Sequence, residues 1–335
     1  MQKEPNRENK SSLVSSMPTE IQEGLVRFEE LYYSSIESVA PSIKKGVELL
    51  QQQSSKHVRP LLLMLIAHCY RPLSDRIING AVFIELLHVS TLVHDDVIDE
   101  SRVRRGVPSM NAIFDNRKAV LIGDYLLANA MIQAILTGNQ SIVLQLANLG
   151  KLLSEGEILQ MDTADLGDYS EERYLQIIDH KTASLIESSL KIGASLVNQE
   201  DPKLQEALEK AGRLLGRAFQ IRDDIFDYFP TPGLGKPSGQ DIQEHKVTLP
   251  LIFALSQTSR EREKVLKLLR HESLRRSDLE FVISFTQKMG GIDYATRRME
   301  EMIREAKMIL TEALPACESR DALLLVADYI AQRKK

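Results

Sequence analysis

The stretch Ile77-Ile-Asn-Gly-Ala-Val-Phe-Ile-Glu-Leu-Leu-His-Val-Ser-Thr-Leu-Val-His-Asp-Asp-Val-Ile-Asp99 decides the fold. Its apolar residues Ile77, Ile78, Ala81, Val82, Ile84, Leu86, Leu87, Val89, Leu92, Val93, Val97 and Ile98 occupy nearly every side of a helical projection. A helix apolar all round belongs at the centre of a bundle. This one also carries Glu85, His88 and His94, and it ends on Asp95, Asp96 and Asp99. Buried charge needs a partner or a metal, so an acidic end on a core helix points to a functional site.

The acidic pattern recurs in Asp223-Asp224-Ile-Phe-Asp227, again closing an apolar, helix-like run. On a helix, positions i and i+4 stack on one face and i+1 flanks them. Three like charges there repel one another and oppose the dipole of the helix C-terminus, which argues against two merely solvated ends. Mg²⁺ answers both objections, because it bridges carboxylates to substrate phosphate while keeping several waters. Two such helix ends facing each other would hold more than one Mg²⁺ and grip a diphosphate.

Apolar residues recur at three- and four-residue spacing around 20–53, 58–70, 75–101, 117–137, 140–165, 171–196, 203–229, 246–256, 261–270, 277–289 and 291–313. Alternating strand patterns are scarce, and no linker divides the chain. The expectation is an all-α, single-domain helical bundle over 18–330, between a flexible polar tail (1–17) and a short tail (331–335). The 335 residues are 43% hydrophobic, enough for a substantial core, and their formal net charge of -5 offers nucleic acid nothing. Cys69 and Cys317 stand far apart in sequence with no secretory stretch before them. A reducing, cytoplasmic setting is therefore expected. No run of about 18 uninterrupted apolar residues occurs, so no transmembrane segment is expected.

Cations cluster near the same helix ends: Lys56-His-Val-Arg59-Pro60, Arg104-Arg105-Gly106, Lys181-Thr182, Lys236 through Asp241, and Lys246-Val-Thr-Leu-Pro250. Taken singly, each reads as an ordinary surface charge. Together they offer forked donors and point charges to phosphate oxygens. Cations hold a phosphate directly whereas carboxylates need a metal between, so the mixture suggests two phosphate-bearing ligands. His88 stays open between a hydrogen-bonded core histidine and a ligand contact. His94-Asp95 also admits a phosphohydrolase of the HD type, with His88, His94 and Asp95 on a divalent metal. That reading leaves the second aspartate motif and most of the cations unexplained.

The ordered set of motifs resembles the trans-isoprenyl diphosphate synthases (polyprenyl synthetases) from about residue 20 to residue 310. The landmarks are Lys56-x-x-Arg59-Pro60, His88, Leu92 through Asp99, Arg104-Arg105-Gly106, Gly123-Asp124-Tyr125, Gly156-Glu157-x-x-Gln160 and His180-Lys181-Thr182-Ala183. Phe219 through Asp224, and Gly235-Lys236 through Lys246-x-Thr-Leu-Pro250, complete it. The resemblance implies a helical bundle around a deep central cavity, usually a homodimer. It implies that Asp95, Asp96, Asp99, Asp223, Asp224 and Asp227 hold Mg²⁺ on an allylic diphosphate. Arg104, Lys181, Lys236 and Lys246 would contact that diphosphate directly, with Thr182 and Gln220 beside the reacting carbons. Lys56, Arg59, His88 and Arg105 would bind isopentenyl diphosphate. Two departures stand out. Ser54-Ser55 replaces the family's Gly-Gly, and His245 stands where glycine usually precedes the last lysine.

The implied reaction is a condensation repeated to a long-chain all-trans polyprenyl diphosphate, with membrane contact for product release. Thr91 lies one turn before Asp95 on its face, and Ser90 is its neighbour. In the family, bulky aromatic residues at these two positions stop growth early; here both are small. The first motif also lacks the two-residue insertion of many short-chain relatives. Met131, on the following helix, is a candidate floor residue. The alternatives are a short-chain farnesyl or geranylgeranyl diphosphate synthase, a terpene cyclase, and a non-catalytic partner subunit. The cyclase needs no second diphosphate site, and the partner subunit tends to lose the aspartates kept here.

Overall fold

The structure, a computed structural model, describes residues 13–52, 57–104, 106–229, 239–258, 260–271 and 273–332. Lys56, Arg105 and Lys236, with Ser54 and Ser55, lie outside these residues. The helices are α1 (Thr19–Ser35), α2 (Pro41–Gln52), α3 (Val58–His68), α4 (Asp75–Ile98), α5 (Met110–Phe114), α6 (Asn116–Leu136), α7 (Gln140–Leu166) and α8 (Glu171–Ile178). A π-helical turn, Asp179–Ala183, leads into α9 (Ser184–Ser195), followed by α10 (Pro202–Asp227), α11 (Gln240–Gln243) and α12 (Leu249–Ser256). The last are α13 (Arg262–Leu268), α14 (Arg276–Lys288), α15 (Gly291–Ala313) and α16 (Glu318–Gln332). The only strands among the described residues are β1 (Val103–Arg104) and β2 (Val107–Pro108), an antiparallel pair.

Three expectations change. The helical stretch 20–53 is two helices, because Pro41 has no N–H to continue the first and starts the second. The tail is shorter than 1–17, since Met17 is 4% exposed. A helix absent from the periodic segments, α16, closes the chain. Its buried Ala322, Leu323, Val326, Ala327 and Ile330 do carry helical spacing, though weakened by two alanines.

The chain forms two compact units, each discontinuous in sequence. The first comprises residues up to 151, 185–212 and 309–326. In it α4 packs chiefly against α6 and then against α3 and α1. As its sequence requires, α4 is buried on most sides. Cys69 and Cys317, remote in sequence, meet here. The two thiols hydrogen-bond, and burial together with that contact pushes the Cys69 thiol up. The second unit comprises 152–184, 213–308 and the residues from 327 on. Its core gathers Tyr228, Ile242, Leu251, Val265, Val282 and Phe285.

By length and composition α4 and α6 could each cross a membrane, which the sequence reading did not anticipate. The apolar window of α4 is 67% buried within its unit, that of α6 only 44%.

Candidate active site

In the first unit α4 presents two faces. One lines a cleft with Glu85, His88, Val89, Leu92 and Asp96. Arg104 reaches into the same cleft, its Nε and a terminal nitrogen each 2.8 Å from Asp96 Oδ1. Asp96 is only 3% exposed, and Asn111 donates to its backbone carbonyl at 2.8 Å. Ser90 and Thr91 do not line this cleft. Ser90 is 1% exposed, while Thr91 is half-buried and donates its hydroxyl to the His88 carbonyl at 2.8 Å.

His94 turns toward α6. Its Nε2 lies 3.3 Å from both the Val120 carbonyl and Asp124 Oδ1. A Cβ on Gly123 would stand 2.3 Å from that nitrogen, so the glycine makes room for the ring. The Gly123-Asp124-Tyr125 motif thereby acquires a physical role, with the Tyr125 hydroxyl donating to the Glu37 carbonyl at 2.8 Å. The His88–His94–Asp95 metal set of a phosphohydrolase is not assembled. Among the described residues no three His, Cys, Asp or Glu side chains gather around a metal-sized point. Met131 is 47% exposed and lines neither this cleft nor the one below. Its three- and four-residue spacing places it with Leu121 and Ile135 on the outward face of α6.

In the second unit a cleft of about 190 Å³ is lined by Lys181, Thr182, Gln220, Asp224, Asp241 and Lys246, among others. A linear hydrogen-bond network orders it. The Thr182 hydroxyl donates to Gln220 Oε1 at 2.8 Å, Gln220 Nε2 donates to Asp224 Oδ1 at 2.9 Å, and the Tyr174 hydroxyl donates to Asp224 Oδ2 at 2.6 Å. Asp227 accepts from the backbone N–H groups of Gln240 and Asp241 at 3.0 and 3.1 Å, and so caps α11.

The π-helical turn that carries Lys181 and Thr182 is wedged between two glycines. A Cβ on Gly216 would meet Ala183 Cα at 2.3 Å, and one on Gly156 would meet His180 Cβ at 2.8 Å. Arg217 pins the turn's first residue, Asp179, with two bonds of 2.6 Å. Gly216→Ala is expected to lose about 1–3 kcal/mol by urea unfolding, because a buried backbone must move. Gly150→Ala, on α7 with open space around it, should cost nothing.

Burial, with the like charges of Asp223 and Asp227, pushes the Asp224 carboxyl up to about 7, against the hydrogen bonds from Tyr174 and Gln220. Burial and the charges of Asp224 and Asp227 likewise drive Asp241 well above the usual carboxylate range. Oxygen donors of this kind suit a hard divalent cation, although Asp224 is engaged by Tyr174 and Gln220 and no three carboxylates converge among the described residues.

Each described cation of the expected allylic set is already ion-paired: Arg104 with Asp96, Lys181 with Glu157, and Lys246 with Glu244 at 2.9 Å. Of the expected isopentenyl set, His88 is buried in the first cleft and Arg59 is half-buried at the start of α3. Sequence reasoning missed Asp241, Glu244 and Tyr174 as site residues. Asp241 stood inside a quoted motif, whereas Tyr174 looks like any core position of α8. His245 has φ +59°, in the left-handed region that favours glycine, so that departure from the family pattern costs local strain.

Comparison with known proteins places the chain in a family. The polyprenyl synthetase family pattern matches residues 40–285. The all-trans-nonaprenyl-diphosphate synthase (geranyl-diphosphate specific) of Rhodobacter capsulatus is 36% identical over 296 residues, 87% of this chain and 88% of that protein. The octaprenyl diphosphate synthase of Escherichia coli (strain K12) is 32% identical over 306 residues, 89% of this chain and 94% of that one. A crystal structure of polyprenyl synthase from Caulobacter crescentus CB15, complexed with calcium and isoprenyl diphosphate, superposes with a TM-score of 0.89. It is 29% identical and covers 96% of this chain and 98% of that one. An all-α chain with two aspartate motifs, a cation set beside them and relatives of this kind belongs to the polyprenyl synthetase family, the trans-isoprenyl diphosphate synthases of long-chain type.

Proposed function

We propose that this prenyltransferase condenses an allylic diphosphate with isopentenyl diphosphate, repeatedly, to a long-chain all-trans polyprenyl diphosphate. Asp95, Asp96, Asp99, Asp223, Asp224 and Asp227 would hold Mg²⁺, with Asp241 beside the second set. The chemistry supplied there is neutralisation of the leaving diphosphate. Arg104, Lys181, Lys236 and Lys246 bind the same diphosphate directly. Three of these leave Asp96, Glu157 and Glu244 to do so, which keeps the cations oriented before substrate arrives. The allylic C–O bond breaks and diphosphate departs with the electron pair. Lys56, Arg59, His88 and Arg105 hold isopentenyl diphosphate so that its double bond attacks the allylic cation. A proton is then lost to the released diphosphate, leaving a new allylic product. Thr182 and Gln220, tied to each other, stand beside the reacting carbons.

The observation that carries this reading is the Thr182–Gln220–Asp224–Tyr174 network beside Lys181, which binds metal-directed carboxylate and phosphate-directed cation into one cleft. The test uses purified protein, Mg²⁺, farnesyl diphosphate and isopentenyl diphosphate, followed by product analysis. Polyprenyl diphosphates longer than geranylgeranyl are expected, and a chelator should abolish them. Cyclic hydrocarbons, released phosphate or no product would each overturn the reading.

The stretch 18–330 is taken as one domain in this scheme, since neither compact unit is continuous in sequence. The protein works as a cytoplasmic homodimer joined through α6, whose Leu121 and Ile135 are 66% and 62% exposed. Sedimentation should show a dimer that Ile135→Glu converts to monomer. Binding of wild type to phospholipid vesicles without self-association would instead assign that face to a membrane.

A further inference from the structure

We propose that Glu85 is the positioning residue of the isopentenyl diphosphate site, acting through His57. The proposal rests on assigning Arg59 and His88 to that site, and it concerns two side chains that the reaction scheme leaves without a role. Glu85 sits in the middle of α4, 2% exposed, three residues before His88 and on the same cleft. Its Oε1 lies 2.9 Å from His57 Nδ1. His57 is itself 7% exposed and immediately precedes α3, two residues before Arg59.

The backbone of His57 is unusual. With φ 43° and ψ 42° it occupies the left-handed region, which disfavours any residue with a Cβ. Such a conformation persists only where the surroundings over-determine it. Here the bond to Glu85 fixes one ring nitrogen, and Phe28 meets the ring edge-on with centroids 5.0 Å apart. The residue that turns the chain into α3, and so aims Arg59, is thus locked from its side chain.

A carboxylate buried beside a diphosphate pocket would ordinarily repel the ligand. Glu85 is offset by its neighbours. Burial alone would push its carboxyl up, but the hydrogen bond to His57 and the electrostatic influence of His57, His88 and Arg59 hold it well below the usual range. The carboxylate therefore lies near two ligand side chains while bonding to His57, which immediately precedes α3. Replacing Glu85 alone by an apolar residue would leave the buried His57 without this bond, and removing one half of a buried pair is costly. The place of Glu85 at the junction of α3 and α4 is accounted for by aiming Arg59 and His88.

The test is steady-state kinetics of Glu85→Gln, His57→Asn and the double variant, with each substrate varied in turn. Gln keeps the shape of Glu, and Asn tolerates the left-handed backbone. Each single variant should raise KM for isopentenyl diphosphate about tenfold, a loss of one decade in affinity. KM for the allylic substrate and kcat should stay within about threefold. The double variant should be no worse than either single one, because both break one link. If Glu85→Gln fails to fold, His57→Asn alone carries the test. An unchanged KM for isopentenyl diphosphate, equal rises for both substrates, or additive effects in the double variant would overturn the proposal. Absence of any condensation by the wild type would overturn the functional reading instead.

Discussion

Asp224→Asn is expected to abolish turnover and at the same time to raise the melting temperature of the metal-free protein. The wild-type carboxyl is 2% exposed and lies among Asp223, Asp227 and Asp241, so its charge is opposed by burial and by its neighbours. A carboxyl moved from its ordinary value up to about 7 carries an ionisation penalty on the order of 1–4 kcal/mol in the folded state. Because the folded pKa lies above the unfolded one, this group stabilises the fold least at high pH. The penalty is absent below the unfolded value, near pH 4, and grows as pH rises through 7. Asn has no charge and can still accept or donate toward Tyr174 and Gln220. The gain in stability should therefore be largest near pH 8 and vanish near pH 4. Thermal unfolding in a chelator reads it directly. With Mg²⁺ added, the order should invert, since only the wild type binds the ion well and ligand binding stabilises the folded state. Turnover should fall at least about a thousandfold. Asp95→Ala and Asp223→Ala should each lower turnover by orders of magnitude too; near-wild-type rates in either would remove that motif from the metal site.

Thr91→Tyr should shift the product from long chains to chains of farnesyl or geranylgeranyl size, with turnover retained. Thr91 lies one turn before Asp95 on α4, and neither lines the first cleft. Enlarging Thr91 therefore obstructs the path beneath the allylic diphosphate. It is half-buried, so a ring can be accommodated. Ser90→Phe should shorten the product as well, but at a cost of about 1–3 kcal/mol, because Ser90 is 1% exposed and the position is already packed. Chromatography of products made with labelled isopentenyl diphosphate distinguishes the cases. Unchanged lengths in both variants would sink the assignment of these residues as the ruler.

Much of the site was legible in the chain because charge on an apolar helix is conspicuous. Asp95, Asp96, Asp223 and Asp224 stand out against the periodicity around them. Lys181 and Arg104 were conspicuous as cations, but not as members of ion pairs with Glu157 and Asp96. Asp227 shows the limit most plainly. The spacing offers it as a metal ligand and does not disclose that it also caps α11 through the N–H groups of Gln240 and Asp241. The cap depends on where the chain returns thirteen residues later, and no local pattern encodes that return. The exposure of Met131 was equally illegible, since an apolar residue on an amphipathic stretch does not declare which face turns inward.

By itself the sequence determined most of the helices, the core position of α4 and the two aspartate motifs, and its resemblance to the polyprenyl synthetases supplied the reaction class. The first three follow from periodicity, propensity and charge, which act within a turn or two of chain. Only the tertiary structure decided the partners: Asp224 with Tyr174, His57 with Glu85, His94 with Asp124, Cys69 with Cys317. Those contacts join residues far apart in sequence. They depend on which helix faces pack and on glycines such as Gly123 and Gly216 that let backbones approach, so they emerge only once the burial of each helix has been settled against the others.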